Sequence, residues 1–383
     1  MFVYLNVRND LKARPYLSLY MGVHDKRIEE LEEEIRKTVY NKATQHHIGR
    51  LKAQIARLKE AQEQQSGGAS GGGYQVRRSG DGTVILLGFP SAGKSTLLNV
   101  LTNQDSEVGA YSFTTLSVVP GLLEYKGAQI QVLDVPGIVA GASSGKGRGK
   151  EVLATMRSAD LCIVLLDATR PEELSVIRKE IFDSGIRLDE RQPDVKIVKK
   201  AKDGLDVGRT VRTPGLTDEM VADILSEFRI FNADVVIRSP VTPDQFIDCI
   251  RGNRKYMPSL LVVNKADLVS SEQREKIKRE LEPDLFISAV KEVGIEELKQ
   301  LVFSRLDFIR IYMKEPRKEA DMEEPLIAQR GSTIRDVARK IHRDFENKFR
   351  YARVSGPSAK FDNQQQGLDH VLEDGDVLEL HMS

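Results

Sequence analysis

Apolar positions recur at helical spacing twice near the start of the chain: Ile28, Leu31 and Ile35 within residues 25–40, then Ile48, Leu51, Ile55 and Leu58 within residues 45–64. Residues three or four apart share a helix face, so the short link at 41–44 predicts a helical hairpin. SGGASGGG at 66–73 reads as a flexible linker. Beyond it the pattern changes to short continuous apolar runs, 83–87, 130–133, 260–263 and 285–287, with a helical stretch at 96–101 after the first. Buried parallel strands read this way, which predicts an α/β core. Asp167 and Asn264 are 97 positions apart, where one crossover needs only about 30 residues. Roughly 60 residues are left over for an insertion by that reckoning. Residues 195–207 predict a strand, an Asp203-Gly204 turn and a strand; Thr217 caps a helix, 234–237 extends, and Thr242-Pro243 opens another helix. That is a small α+β unit. After Phe308 come a strand (309–313), a strand (326–329), a helix from Thr333 with Ile334, Val337 and Ile341 inward, and strands ending at 372–380, an order that suits a β-grasp fold.

Composition agrees with a modular chain. The 383 residues exceed one core, and 57 basic against 57 acidic residues with 40% hydrophobic content argue against global disorder. Cys162, in a strand pattern, and Cys249, in a helical one, are expected as core thiols rather than a disulfide or zinc framework. His46-His47 has no cysteine or carboxylate cluster beside it and is expected at a loop or cap. Without an 18-residue apolar run or a leader pattern, no membrane association and a cytoplasmic location are expected.

The chemistry is concentrated in four short motifs. Gly88-Phe89-Pro90-Ser91-Ala92-Gly93-Lys94-Ser95 fits G-x-x-x-x-G-K-[ST] between a strand and the helix opened by Thr96. Such a loop wraps phosphates with backbone N–H groups; Lys94 reaches the β and γ phosphates, and the Ser95 hydroxyl can ligate Mg²⁺. Asp134-Val135-Pro136-Gly137 follows a second strand, placing Asp134 to hold Mg²⁺ through water and Gly137 to meet the γ phosphate. Asn264-Lys265-Ala266-Asp267 follows a third, and the Asp267 carboxylate can accept both donors of a guanine edge, which adenine lacks. Ser288-Ala289 completes the base pocket with backbone donors. Together the motifs predict GTP and GDP binding. Tyr111-Ser112-Phe113-Thr114-Thr115 reads as a switch loop, in which Thr114 or Thr115 would coordinate Mg²⁺ only while a γ phosphate is present.

The runs GFPSAGKSTLLN, YSFTTL, DVPGIVAGASSGKGRGKEVL and NKAD resemble the developmentally regulated GTP-binding proteins, Obg-related GTPases of archaea and eukaryotes, and the likeness is to an archaeal member. The resemblance implies a P-loop GTPase core, an N-terminal helical hairpin, an inserted α+β domain and a C-terminal β-grasp module called TGS. The expected bounds are an extension or mis-assigned start at 1–20, a hairpin at 21–65 and a linker at 66–80. GTPase segments follow at 81–172 and 249–307, with the insertion at 173–248 and TGS at 308–383. With the resemblance, the spacing of 21 from Lys94 favours Thr115 as the switch threonine. Lys94, Thr115 and Gly137 are then the catalytic set.

Ile138 stands where many signalling GTPases carry the glutamine that orients the attacking water, so slow intrinsic hydrolysis is expected. In similar GTPases a potassium ion or a partner supplies the missing charge, although relatives with the best-defined potassium site carry Asn at the position of Ser91. The stretch 141–150, with four glycines and Lys146, Arg148 and Lys150, reads as a second switch or a solvated loop. The resemblance further implies a ribosome or translation role and a regulatory partner protein, with a monomer as the expected state. Three basic segments could meet structured RNA or solvent: Arg50, Lys52, Arg57 and Lys59 on the second helix; Lys196, Lys199, Lys200 and Lys202; and residues 333–353, with seven basic residues against three acids. Two other classes compete, an ATP-dependent relative, opposed by Asp267, and an RNA-binding scaffold with negligible turnover.

Overall fold

A computed structural model describes residues 14–39, 41, 44–65, 80–102, 119–134, 156–252, 254–316, 318–342 and 344–382. Thr114, Thr115, Gly137, Ile138, the loop 141–150 and the linker 66–73 lie outside the described residues. The chain opens with helices α1 (Arg14–Lys37) and α2 (Gln45–Gln65). Asn41 and Thr44 exchange hydrogen bonds in the turn between them. The first helix starts inside the expected extension, ahead of its apolar repeat. Next come β1 (Gly82–Leu87), α3 (Lys94–Leu101), β2 (Val119–Tyr125), β3 (Ala128–Asp134), β4 (Leu161–Asp167), α4 (Glu173–Asp183) and β5 (Ile186–Leu188). The middle of the chain forms β6 (Val195–Lys199), β7 (Leu205–Arg209), α5 (Asp218–Glu227), β8 (Ala233–Ile237) and α6 (Pro243–Arg251). Then follow β9 (Lys255–Met257), β10 (Ser259–Asn264), α7 (Ser271–Leu281), β11 (Leu285–Phe286) and α8 (Ile295–Arg305). The last portion contains β12 (Phe308–Met313), β13 (Leu326–Gln329), α9 (Ile334–Ile341), α10 (Phe345–Lys348), β14 (Phe349–Ser355), β15 (Gln364–Gln366) and β16 (Asp376–Met382).

The chain divides into two units, 1–73 with 191–255, and 74–190 with 256–383. In the second unit a six-stranded sheet runs β11-β10-β4-β1-β3-β2, with every pair parallel except the edge strand β2 against β3. Side chains alternate across it with the period of two that a strand imposes. Val84 and Leu86 join one core with Leu97 and Leu98 of α3 and Leu298 of α8, while Ile85 and Leu87 join another with Ile177 and Ile181 of α4. Helix α4, which falls within the insertion expected from 173, therefore covers this sheet, and the inserted part of the first unit runs from Arg191 to Lys255.

The C-terminal sheet runs β13-β12-β16-β14-β15, with β12 parallel to β16 and the other pairs antiparallel. Thr333 caps α9, whose Ile334 and Val337 are buried against this sheet. Ile341, expected inward, is 38% exposed because it falls in the helix's last turn, past the core. Phe308 of β12 and Ile327 of β13 also enter the core of the six-stranded sheet, where the Phe303 and Phe308 rings meet edge to face at 5.8 Å. A Cβ on Gly82 would lie 2.8 Å from the Phe308 ring, so glycine is required there for this approach.

The first unit has a three-stranded sheet ordered β6-β8-β7. The expected strand-turn-strand at 195–207 is present, but the two strands do not pair with each other: β8 lies between them, antiparallel to β6 and parallel to β7. Ala233, Val235 and Ile237 of β8 are buried, so the most apolar strand takes the centre and the lysine-bearing β6 an edge. Lys200 pairs with Asp234 at 2.6 Å. Thr217 and Thr242 cap α5 and α6 as read from the sequence. The hairpin packs on this unit, with Ala53 and Ala56 of α2 in one core with Met220, Val221 and Ile224 of α5.

That packing accounts for the basic face of α2. Lys52 pairs with Asp244 at 2.6 Å, Arg57 and Arg50 approach Glu227, Lys59 approaches Glu32, and Gln54 donates to Glu227 Oε1 at 2.9 Å. These cations therefore meet carboxylates within the protein while remaining about a third to a half exposed. His46 and His47 lie in the first turn of α2, beside Asp223 and Glu34 respectively. Part of the C-terminal basic segment is engaged within the protein: Arg335 pairs with Glu346 and Asp369, Arg339 with Glu346, and Lys340 with Asp81.

Candidate nucleotide site

The strand β1 ends at the loop 88–93, and α3 begins at Lys94, so the phosphate motif occupies a strand-to-helix turn. Gly88 has no room for a side chain, because a Cβ there would run into the Leu165 carbonyl of β4. Gly93 adopts φ 94°, which favours glycine, and a Cβ there would meet Asn264 Nδ2. The glycines thus let the loop close onto the ends of β4 and β10. A cleft of about 510 Å³ opens there, lined in part by Ser91, Lys94, Ser95, Thr96, Asn264, Lys265, Asp267 and Ser288.

Asn264 ties the two halves of this cleft together. Its Nδ2 donates to the Ala92 carbonyl at 2.9 Å, and its Oδ1 accepts the Ala289 N–H at 3.0 Å. Being only 2% exposed, it cannot exchange those partners freely for water. The Ser288 N–H donates to the Val293 carbonyl at 3.1 Å. Both backbone donors expected to face the base are therefore engaged within the protein. They shape the loop, and the Ser288 side chain instead hydrogen-bonds Asp267.

At the phosphate end, Lys94 Nζ donates to the Gly88 and Phe89 carbonyls at 3.0 and 3.2 Å. Burial holds its ammonium below the ordinary lysine range, while the Asp134 charge acts the other way. Ser95 Oγ donates to Asp134 Oδ2 at 3.0 Å. Asp134 Oδ1 is buried and has no hydrogen-bond partner among the described residues. A hydroxyl and an orphaned carboxylate oxygen beside a phosphate loop form a hard oxygen set, which suits Mg²⁺.

At the base end, Asp267 is held below the usual carboxylate range by the Ser288 hydrogen bond, with Lys291 adding to it. Lys291 Nζ stands 3.3 Å from Asp267 Oδ2. Lys265, at φ 61°, turns its ammonium to Asp167 at 2.7 Å. Burial works to raise the Asp167 pKa, but its bonds to Lys265 and Thr169 outweigh this and leave it low. Asp167 and Lys291 were not among the residues singled out from the sequence. A signal for Asp167 existed, since it ends the run LCIVLLD and lies in register with Asn264.

Residues 83–200 match the family described as 50S ribosome-binding GTPase, 202–308 the C-terminal region of that domain, and 309–382 the TGS domain. An uncharacterised GTP-binding protein of Methanocaldococcus jannaschii is 52% identical over 94% of this chain and 92% of its own. Developmentally-regulated GTP-binding protein 2 of Homo sapiens is 40% identical over 94% of this chain and 99% of its own. Among solved structures, the Schizosaccharomyces pombe YchF GTPase aligns with a TM-score of 0.42 at 15% identity, over 80% of this chain and 99% of that one. A phosphate loop bound to an N-K-x-D strand end on a largely parallel sheet, followed by a TGS domain, defines a GTP-binding protein of the GTPase family. By its similarity to relatives along nearly its whole length, the chain belongs to the developmentally regulated GTP-binding proteins.

Proposed function

We propose that this chain is a Mg²⁺-dependent GTPase switch, slow by itself, that acts on ribosomes or another part of the translation apparatus. The observation that carries the chemistry is the pair of Asn264 bonds to Ala92 and Ala289, which fix the phosphate loop and the base-reading loop in one frame. Lys94 would exchange its two carbonyl partners for β and γ phosphate oxygens. Asp267 would accept the two guanine donors and exclude adenine. Ser95 would hold Mg²⁺ and Asp134 would support it through water; bound there, the ion would neutralise charge developing on the phosphates. Thr115, favoured over Thr114 through the family resemblance, would coordinate Mg²⁺ only while a γ phosphate is present, and Gly137 would meet that phosphate. Because the apolar Ile138 follows that glycine, no side chain in the motif orients water, and a partner protein or potassium is the proposed stimulus. Equal rates in potassium and sodium would exclude the ion.

The ribosome assignment draws on the family description and on the TGS domain. A switch must bind its effector differently in its two states. The test is sedimentation of the full chain with ribosomes in the presence of a non-hydrolysable GTP analogue, GDP or no nucleotide. Cosedimentation with the analogue alone is the expected result, and none in any state would overturn the ribosome assignment.

A further inference from the structure

Beside the base end of the cleft, just beyond the residues that line it, stands a cation that the nucleotide motifs do not call for. Lys291 is tied at both ends to groups that face the base: its ammonium lies 3.3 Å from Asp267 Oδ2, and its backbone N–H donates to Ser288 Oγ at 3.3 Å. Ser288 in turn hydrogen-bonds the Asp267 carboxylate. Guanine engages such a carboxylate with two donors, the ring N1–H and the 2-amino group. A base without the 2-amino group leaves one carboxylate oxygen unpaired. That orphaned charge supplies much of the discrimination, since an unsatisfied charged acceptor costs more than the missing bond would have contributed.

In this pocket the penalty is already softened. Lys291 forms an ion pair with Asp267 Oδ2 before any base arrives, and its side chain is 60% exposed, so it can move aside for guanine at the small cost of a solvent-screened contact. We propose that Lys291 is a specificity residue that relaxes discrimination against purine nucleotides lacking the 2-amino group, so that inosine and xanthosine nucleotides form a further ligand class of this site. Hypoxanthine keeps the N1–H for one carboxylate oxygen while Lys291 keeps the other. Xanthine places an oxo acceptor where guanine has its amino group, and the ammonium between that oxygen and Asp267 removes a repulsion that a bare carboxylate would impose. Adenine has no N1–H and gains nothing from Lys291.

The inference rests on the guanine-nucleotide reading of the cleft, and the test separates the two. GDP, IDP and XDP are titrated by calorimetry into the full chain, its Lys291→Met variant and its Lys291→Arg variant. In Lys291→Met, IDP and XDP should weaken about two- to fivefold relative to GDP, the scale of one partly exposed ion pair. Lys291→Arg, which keeps the cation, should retain the parental ratios. Unchanged ratios in Lys291→Met overturn the proposal and leave the guanine reading intact. A parallel fall for all three nucleotides also overturns it, by showing a loop that has lost its shape. Absence of GDP binding by the parent chain overturns the underlying reading.

Discussion

The nucleotide cleft and the seam between the hairpin and the inserted unit are both built from polar groups, yet they use them differently. In the cleft one buried amide, Asn264, makes two short bonds to backbone groups, and the glycines around it exclude any side chain that would separate the loops. Along the seam, long half-exposed cations of α2 reach the carboxylates of Glu227 and Asp244 over a packed layer of Ala53, Ala56 and Met220. A buried amide in low dielectric enforces geometry. Solvent-exposed ion pairs contribute little energy each, so the seam is held by its apolar layer and the charges select orientation.

The largest effect should come from Asn264→Ala. It strands the Ala92 carbonyl and the Ala289 N–H, each loss costing about 1–3 kcal/mol. GDP affinity measured by calorimetry should therefore fall about a hundredfold or more; a change under tenfold would show that the cleft is held by something other than this amide. Ala53→Leu should come next. Ala53 is fully buried, and overpacking there should destabilise by about 1–3 kcal/mol. A lowered thermal midpoint with GDP affinity unchanged would separate seam from cleft. An undisturbed midpoint would mean that the seam yields easily.

The smallest effect concerns a charge cluster of a third kind. Glu379 is buried on β16, with Lys314, His381 and Arg353 at 3.3, 2.6 and 4.0 Å. Burial works to raise its pKa, but the Lys314 and His381 hydrogen bonds outweigh that and hold it below the ordinary glutamate value of 4.5. The folded chain is thus the stronger acid. The contribution of Glu379 to stability should be complete above pH 4.5 and lost as pH falls through the depressed folded value. Denaturant melts between pH 3 and 6 should show a shallower acid loss of stability in Glu379→Gln than in the parent; identical slopes would place the charge outside the folding equilibrium.

The contrast also explains what could be read from residues alone. The phosphate loop, Asp134 and N-K-x-D were legible because each is a short run at the end of an apolar strand, where the strand period fixes the direction of the chain. Caps such as Thr217 and Thr242 were legible for the same local reason. The intramolecular partners of the α2 cations, Glu227 and Asp244, were not legible because they stand 170 to 192 positions away. The order β6-β8-β7 was hidden in the same way, since a turn at Asp203-Gly204 specifies a reversal but not which strand fills the space beside it. Helix α4 was assigned to the insertion because nothing in its sequence tells which of two apolar surfaces will receive Leu174, Ile177 and Ile181.

The intrusion of Phe308 and Ile327 into the core under the six-stranded sheet has a practical consequence for anyone dissecting the chain. A fragment ending at Asp307 would keep every nucleotide motif but would wet Phe303 and Leu306, which lie in the same core as the lost side chains. Such a fragment carries a greasy scar rather than a clean edge, so its low solubility or altered turnover would report on the wound of the cut and not on a regulatory influence of the domain removed.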